Sequence, residues 1–174
     1  MRIWSYKGGG AWAEAIKADT FCGEAHTELQ FDGIEGLDDQ FFSSTLDTGP
    51  EFRAFKNLVS QDMNDWIVTD LEVTSADELL VYKAAQMIKK QGFIYGTPPT
   101  YNVEGIAKNF LPVPLIEQNP NQYFCSQAVV TACLTIGLFL NMIPAMMSPG
   151  DVFDWLNKHL TIWRAFRFRI VEGA

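Results

Sequence analysis

Apolar and polar residues alternate from Arg2 to Lys7, and Gly8-Gly9-Gly10 interrupts the alternation, which predicts a strand followed by a break. The alanine-rich stretch from Ala11 to Lys17 suits a short helix. From Glu24 to Phe31 the alternation resumes as a strand. Ala25, Thr27, Leu29 and Phe31 would share one face, and Glu24, His26, Glu28 and Gln30 the other. Asp32-Gly33 predicts a turn, and residues Gly36 to Ser44 a returning strand. A further strand is expected from Asn64 to Val73, centred on Trp66-Ile67-Val68.

The spacing then becomes helical. Ser75 reads as a cap, with Glu78 completing a capping box, and the helix should run to about Lys90 and stop at Gly92. Thr97-Pro98-Pro99 predicts a rigid loop, Asn102 to Asn109 a short helix, and Pro112, Pro114 and Pro120 an extended approach to an apolar helix beginning near Cys125. Residues Tyr123 to Met147 carry no charge, yet Gly137, Asn141 and Pro144 interrupt them. A buried helix, a break near Gly137 and a second apolar segment fit this better than a membrane span. Ser148-Pro149-Gly150-Asp151 opens a last helix that should end near Leu160, and Trp163 to Ile170 alternates as a closing strand. With no repeat or linker, residues 1–174 read as a single α+β domain.

Composition narrows the partners. A formal net charge of −8 argues against nucleic acid and disfavours an anionic membrane surface. Three cysteines, an odd number, are expected to be free thiols in a reducing compartment. The start, Met1 to Lys7, lacks the features of a signal peptide, so a cytoplasmic place is expected. No CxxC or HxxxH spacing supplies a metal site, and Gly8-Gly9-Gly10 lacks the lysine of a phosphate loop, so neither metal nor cofactor is expected.

The candidate chemistry lies in Cys125 and His26. A thiol becomes a strong nucleophile as thiolate, and a helix N-terminus or a neighbouring imidazole lowers its pKa. Cys125 stands where the apolar helix begins, His26 lies in a strand, and Glu28 shares the His26 face two residues on, where a carboxylate could orient the ring. A second assignment stays open: Cys125 as a small core residue, and His26 as a solvated strand residue bonded to Glu24 or Glu28. Cys22, Cys133 and His159 read as structural.

The order of motifs resembles the circularly permuted NlpC/P60 group of papain-like enzymes, the YiiX/YaeF/YebB-like family with its viral and phage members. The likeness rests on Ala25-His26-Thr27-Glu28-Leu29, Asp32-Gly33, Phe42-Ser43-Ser44, Tyr101-Asn102-Val103-Glu104-Gly105-Ile106, Cys125-Ser126-Gln127 and Ser148-Pro149-Gly150-Asp151. It covers roughly residues 20 to 160, departing from the family at Ala25, Asn102 and Gln127. The resemblance implies a small antiparallel sheet packed against helices, with the nucleophile at a helix N-terminus. It implies Cys125, His26 and Glu28 as catalytic residues and Tyr101 and Ser126 as substrate-binding ones. The implied activity is hydrolysis of a peptide, γ-glutamyl or isopeptide amide, with cell-wall peptides among the substrates and a phage or virion-associated setting. An acyltransferase or lipase, and a non-catalytic virion protein, are the alternatives on the same scaffold.

Overall fold

The computed structural model describes residues 1–20, 22–37, 40–45, 48–94, 100–101 and 122–172. Five strands, β1 (Arg2–Tyr6), β2 (His26–Phe31), β3 (Gln40–Thr45), β4 (Gly49–Ala54) and β5 (Trp66–Asp70), pair antiparallel in the order β4-β3-β2-β1-β5. A short parallel pair joins β6 (Thr100–Tyr101) to β7 (Gln122–Tyr123). The helices are α1 (Ala11–Thr20), α2 (Ser75–Ile94), α3 (Cys125–Cys133) and α4 (Pro149–Glu172). The architecture is α+β.

Alternation along the strands gives the sheet two apolar faces. On one, Ile3, Leu29, Phe31 and Phe42 are fully buried and meet Val81 and Ala85 of α2, Ala128 and Val129 of α3, and Val152 and Leu156 of α4. On the other, Trp4, Tyr6, Phe41 and Trp66 pack with Ala13 of α1, Ala25 and Leu58 in a smaller cluster. Trp4 is its hub, meeting Phe41 at 5.2 Å and Trp66 at 5.7 Å edge to face. A layer on each face buries all six residues of β2. His26, Glu28 and Gln30 therefore do not lie on a solvated surface, as alternation alone would suggest.

Several boundaries differ from the sequence pattern. Thr74, one residue before Ser75, makes the reciprocal cap of α2: its hydroxyl accepts from the Asp77 N–H at 3.2 Å and donates to Asp77 Oδ2 at 2.7 Å. Helix α2 continues past Gly92 to Ile94. The expected closing strand at 163–170 is instead the second half of α4. Ser148 and Asp151 cap that helix reciprocally, and no glycine or proline follows before Glu172 to end it. His159 consequently sits within α4, its ring 5.4 Å from Trp155. Strand β4 had no clear sequence signal because Pro50 argues against a strand, yet β4 is a sheet edge, where proline is tolerated. The break near Gly137 is present, with Gly137 left-handed at φ 73° after a 3₁₀ turn over Leu134–Ile136. The readings at Thr97-Pro98-Pro99, Asn102 to Asn109, and Pro112 to Pro120 lie outside the described residues.

Glu78, released from the expected cap, does other work. It is 1% exposed, and its Oε1 accepts from the N–H groups of Asp32 at 2.7 Å and Gly33 at 3.0 Å, tying α2 to the end of β2. A Cβ on Gly33 would lie 2.4 Å from Glu78 Oε2, so a side chain there would have to displace the carboxylate. Glu78→Leu leaves both donors unsatisfied and should lower unfolding free energy in urea by about 3 kcal/mol, whereas Glu78→Gln, which keeps an acceptor, should lose less.

Candidate active site

Helix α3 begins at Cys125 without a side-chain cap, because the residue before it is Phe124, in extended conformation. Its first turn therefore presents open N–H groups. The neighbouring strands supply the other half of the site. The β2–β3 ladder is formed at Leu29, Gln30 and Phe31 of β2, while Thr27 lies beyond those pairs. The Thr27 carbonyl instead accepts from Ser43 Oγ at 2.5 Å, and its N–H points to the Cys125 sulfur. The Ser44 hydroxyl donates to the Tyr123 carbonyl at 2.6 Å, fixing the chain two residues ahead of Cys125. Two adjacent serines on β3 thus hold both sides of the site, one gripping β2 and the other the approach to α3.

His26 bridges the thiol and a carboxylate. Its Nε2 lies 2.8 Å from Glu28 Oε1, which leaves Nδ1 as the nitrogen for its hydrogen bond to Cys125. Arg53 of β4 brings Nη2 to 2.8 Å from the same Glu28 oxygen, an ion pair whose N–H is not aligned as a hydrogen bond. The order is sulfur, imidazole, carboxylate, guanidinium, with opposite charges adjacent when Cys125 is thiolate and His26 imidazolium. Every member is buried.

Burial opposes charge on both central groups, and their mutual attraction overcomes it. Desolvation raises the Cys125 thiol, but the His26 charge and hydrogen bond, with the N–H groups of Thr27 and Ser126, bring it below its ordinary value. Desolvation lowers His26, but the thiolate and Glu28 push it up to about 9. By linkage, the raised His26 contributes stability that is full below its ordinary 6.5 and is lost as pH rises through about 9. The lowered Cys125 contributes stability that is present above the ordinary thiol range and is lost as pH falls through its folded value. Between about pH 6.5 and 9, where the unfolded imidazole and thiol are both neutral, folding moves one proton from sulfur to nitrogen and releases none.

The structure brings Cys125, His26 and Glu28 together. The Ser126 side chain is not available to a substrate: it is fully buried and its hydroxyl donates to the Met147 carbonyl at 2.5 Å, so only its N–H serves the site. Tyr101 pairs with Tyr123 in the β6–β7 ladder, which carries its backbone beside the approach to Cys125; its side chain lies outside the described residues. Arg53 escaped the sequence reading because β4 itself did, and Ser43 and Ser44 stood out only as small polar residues. Cys133 is buried on α3, where desolvation pushes its thiol far up, and Cys22 packs over Gly150 at the start of α4. Among the described residues, no three His, Cys, Asp or Glu side chains are grouped to hold a metal ion, and no helix is long and apolar enough to cross a membrane.

A cleft of about 560 Å³ opens beside the site and is lined by His26, Ser44 and Arg53. Cys125 itself is 1% exposed, behind His26. No protein-family model matches the chain, and no curated protein matches it.

Replacing His26 by asparagine removes the charge that lowers Cys125 while leaving the thiol buried. The Cys125 pKa should then rise above that of a free thiol, and alkylation by iodoacetamide at pH 6, followed by mass spectrometry, should slow at least about tenfold.

Proposed function

We propose that the protein is a thiol hydrolase of amide bonds, built as a circularly permuted papain-like domain. The observation that carries this reading is the Cys125–His26 pair, a thiol lowered and an imidazole raised by each other in a buried site beside an open cleft. A free structural cysteine gains nothing from such an arrangement; Cys133, on the same helix, has none of it.

In the proposed reaction the Cys125 thiolate attacks the amide carbon, forming the S–C bond and moving the carbonyl π electrons onto oxygen. The Cys125 N–H at the front of α3 is the proposed donor to that oxyanion. As the oxyanion collapses, the C–N bond breaks and His26 Nδ1–H protonates the departing amine. The neutral imidazole then takes a proton from water, which attacks the thioester, and the acid leaves with thiolate and imidazolium restored. Glu28 holds the ring through Nε2, and Arg53 lies 2.8 Å from the same Glu28 oxygen. Because Cys125 is 1% exposed, the scheme requires the cleft wall at His26 and Ser44 to part as substrate enters.

The motif resemblance directs the substrate search to peptide, γ-glutamyl and isopeptide amides, cell-wall peptides included. The burial of Cys125 favours a second reading, acyl transfer, because a site that limits water lets an amine or alcohol compete for the thioester. Product analysis with added amine separates the two.

Cys125→Ala and Cys125→Ser should each lower turnover of a responsive amide on the order of a thousandfold or more, with circular dichroism showing the fold retained. Wild-type turnover should fall above about pH 9, where His26 loses the proton that the leaving group needs. Full turnover in either variant would exclude the scheme.

A further inference from the structure

The lining of the cleft beside His26 specifies its occupant. Its apolar lining residues are Tyr6, Ala11, Ala13, Ile16, Ala25 and Val59. Part of this lining is held firmly. The Tyr6 hydroxyl donates to the Gly9 carbonyl at 3.1 Å, and Lys17 Nζ donates to the carbonyls of Lys7 at 2.9 Å and Gly8 at 2.8 Å. A Cβ on Gly8 would sit 2.5 Å from Tyr6 Oη, so the glycine run folds directly over the ring. Gly9 and Gly10 then border the cleft without side chains, which leaves its mouth open.

The lining also carries charge, and its guanidinium already stands against two carboxylates. Arg53 faces Glu28 through Nη2 at 2.8 Å and lies 3.9 Å from Glu51 Oε1 through Nη1. A charged ligand group would have to compete with these pairs. Polar requirements remain: Arg53 Nε and Nη2 are buried and have no aligned hydrogen-bond acceptor, and the Arg53 side chain is only 6% exposed. A neutral carbonyl oxygen supplies an acceptor without adding charge.

Resting on the hydrolase reading, we infer that this cleft binds an uncharged amide bearing an aliphatic group, with the aliphatic group against Tyr6, Ala13 and Val59 and a carbonyl facing Arg53. The substrate class is therefore neutral acyl or aliphatic amides rather than acidic or cationic peptides. Its volume falls within the range of small-molecule sites.

Two measurements separate this assignment from the hydrolase reading. In the first, unreactive amides are titrated into protein carrying methyl-labelled alanine, isoleucine and valine. N-hexylacetamide should shift the Ala13, Ile16 and Val59 methyl signals saturably, with an affinity about tenfold above N-methylacetamide, as burial of two methylenes gives. N-(6-aminohexyl)acetamide should bind more weakly than the hexyl compound. Val59→Glu places a charge in the apolar lining at a residue 48% exposed, so the fold is unaffected, and it should erase the hexyl preference. Equal affinities, tighter binding of the amine, or shifts elsewhere would overturn the assignment. In the second, Cys125 is alkylated by iodoacetamide and by N-hexyl-iodoacetamide, where sulfur displaces iodide. A hexyl preference lost in Val59→Glu ties the cleft to the thiol, and reaction without that preference overturns the tie. A cleft that binds hexylacetamide beside a Cys125 inert at pH 6 would leave the binding site standing and remove the hydrolase reading.

Discussion

A thiolate and an imidazolium persist away from water only if each faces compensating groups, and the placement of those groups governs much of this structure. The Cys125 sulfur has the His26 charge and the N–H groups of Thr27 and Ser126. His26 has the sulfur and Glu28, and Glu28 in turn has Arg53 at 2.8 Å. Without Arg53, a fully buried carboxylate would bear the desolvation penalty with the imidazole as its one close cation. The guanidinium on an edge strand is thus connected to the state of the sulfur through two intermediate groups.

The sheet supplies this geometry by being incompletely zipped. Had the β2–β3 ladder continued past Leu29 and Phe42, the Thr27 N–H would have been used by β3, and α3 would have had no place between the strands. Serines at 43 and 44 make the gap tolerable, since their hydroxyls satisfy the Thr27 and Tyr123 carbonyls that an opened ladder exposes. Larger residues at either position would fill the space that the helix N-terminus takes. The local loss of pairing and the seat of Cys125 are therefore two aspects of one arrangement.

Much of the local structure was legible in the sequence because its signals are local. Alternation places His26, Glu28 and Gln30 on one face of β2, Ser148-Pro149 starts α4, and Gly137 ends the apolar helix. What alternation cannot show is what covers a face, and so the polar side of β2 reads as solvated when the Trp4–Phe41–Trp66 cluster in fact shields it. The tail of α4 misled for a related reason: residues 163–170 fit a period of two, but a capped helix with no stop signal simply continues. Arg53 was beyond reach, because its importance arises from a contact across β3 to Glu28 on β2, and a proline had obscured its strand.

The site joins early and late parts of the chain, which makes its formation depend on the last packing steps. The Ser44–Tyr123 hydrogen bond spans 79 residues, and Ser126 reaches another 21 residues on to Met147. Until α3 docks, His26 has Glu28 but no sulfur, and Cys125 has no imidazole. Docking removes both from water at the moment it supplies their partners. A partly docked helix would bury charge without compensation, so intermediate positions of α3 are disfavoured. The same charge pairing that lowers the thiol therefore favours the helix fully seated against β2 and β3.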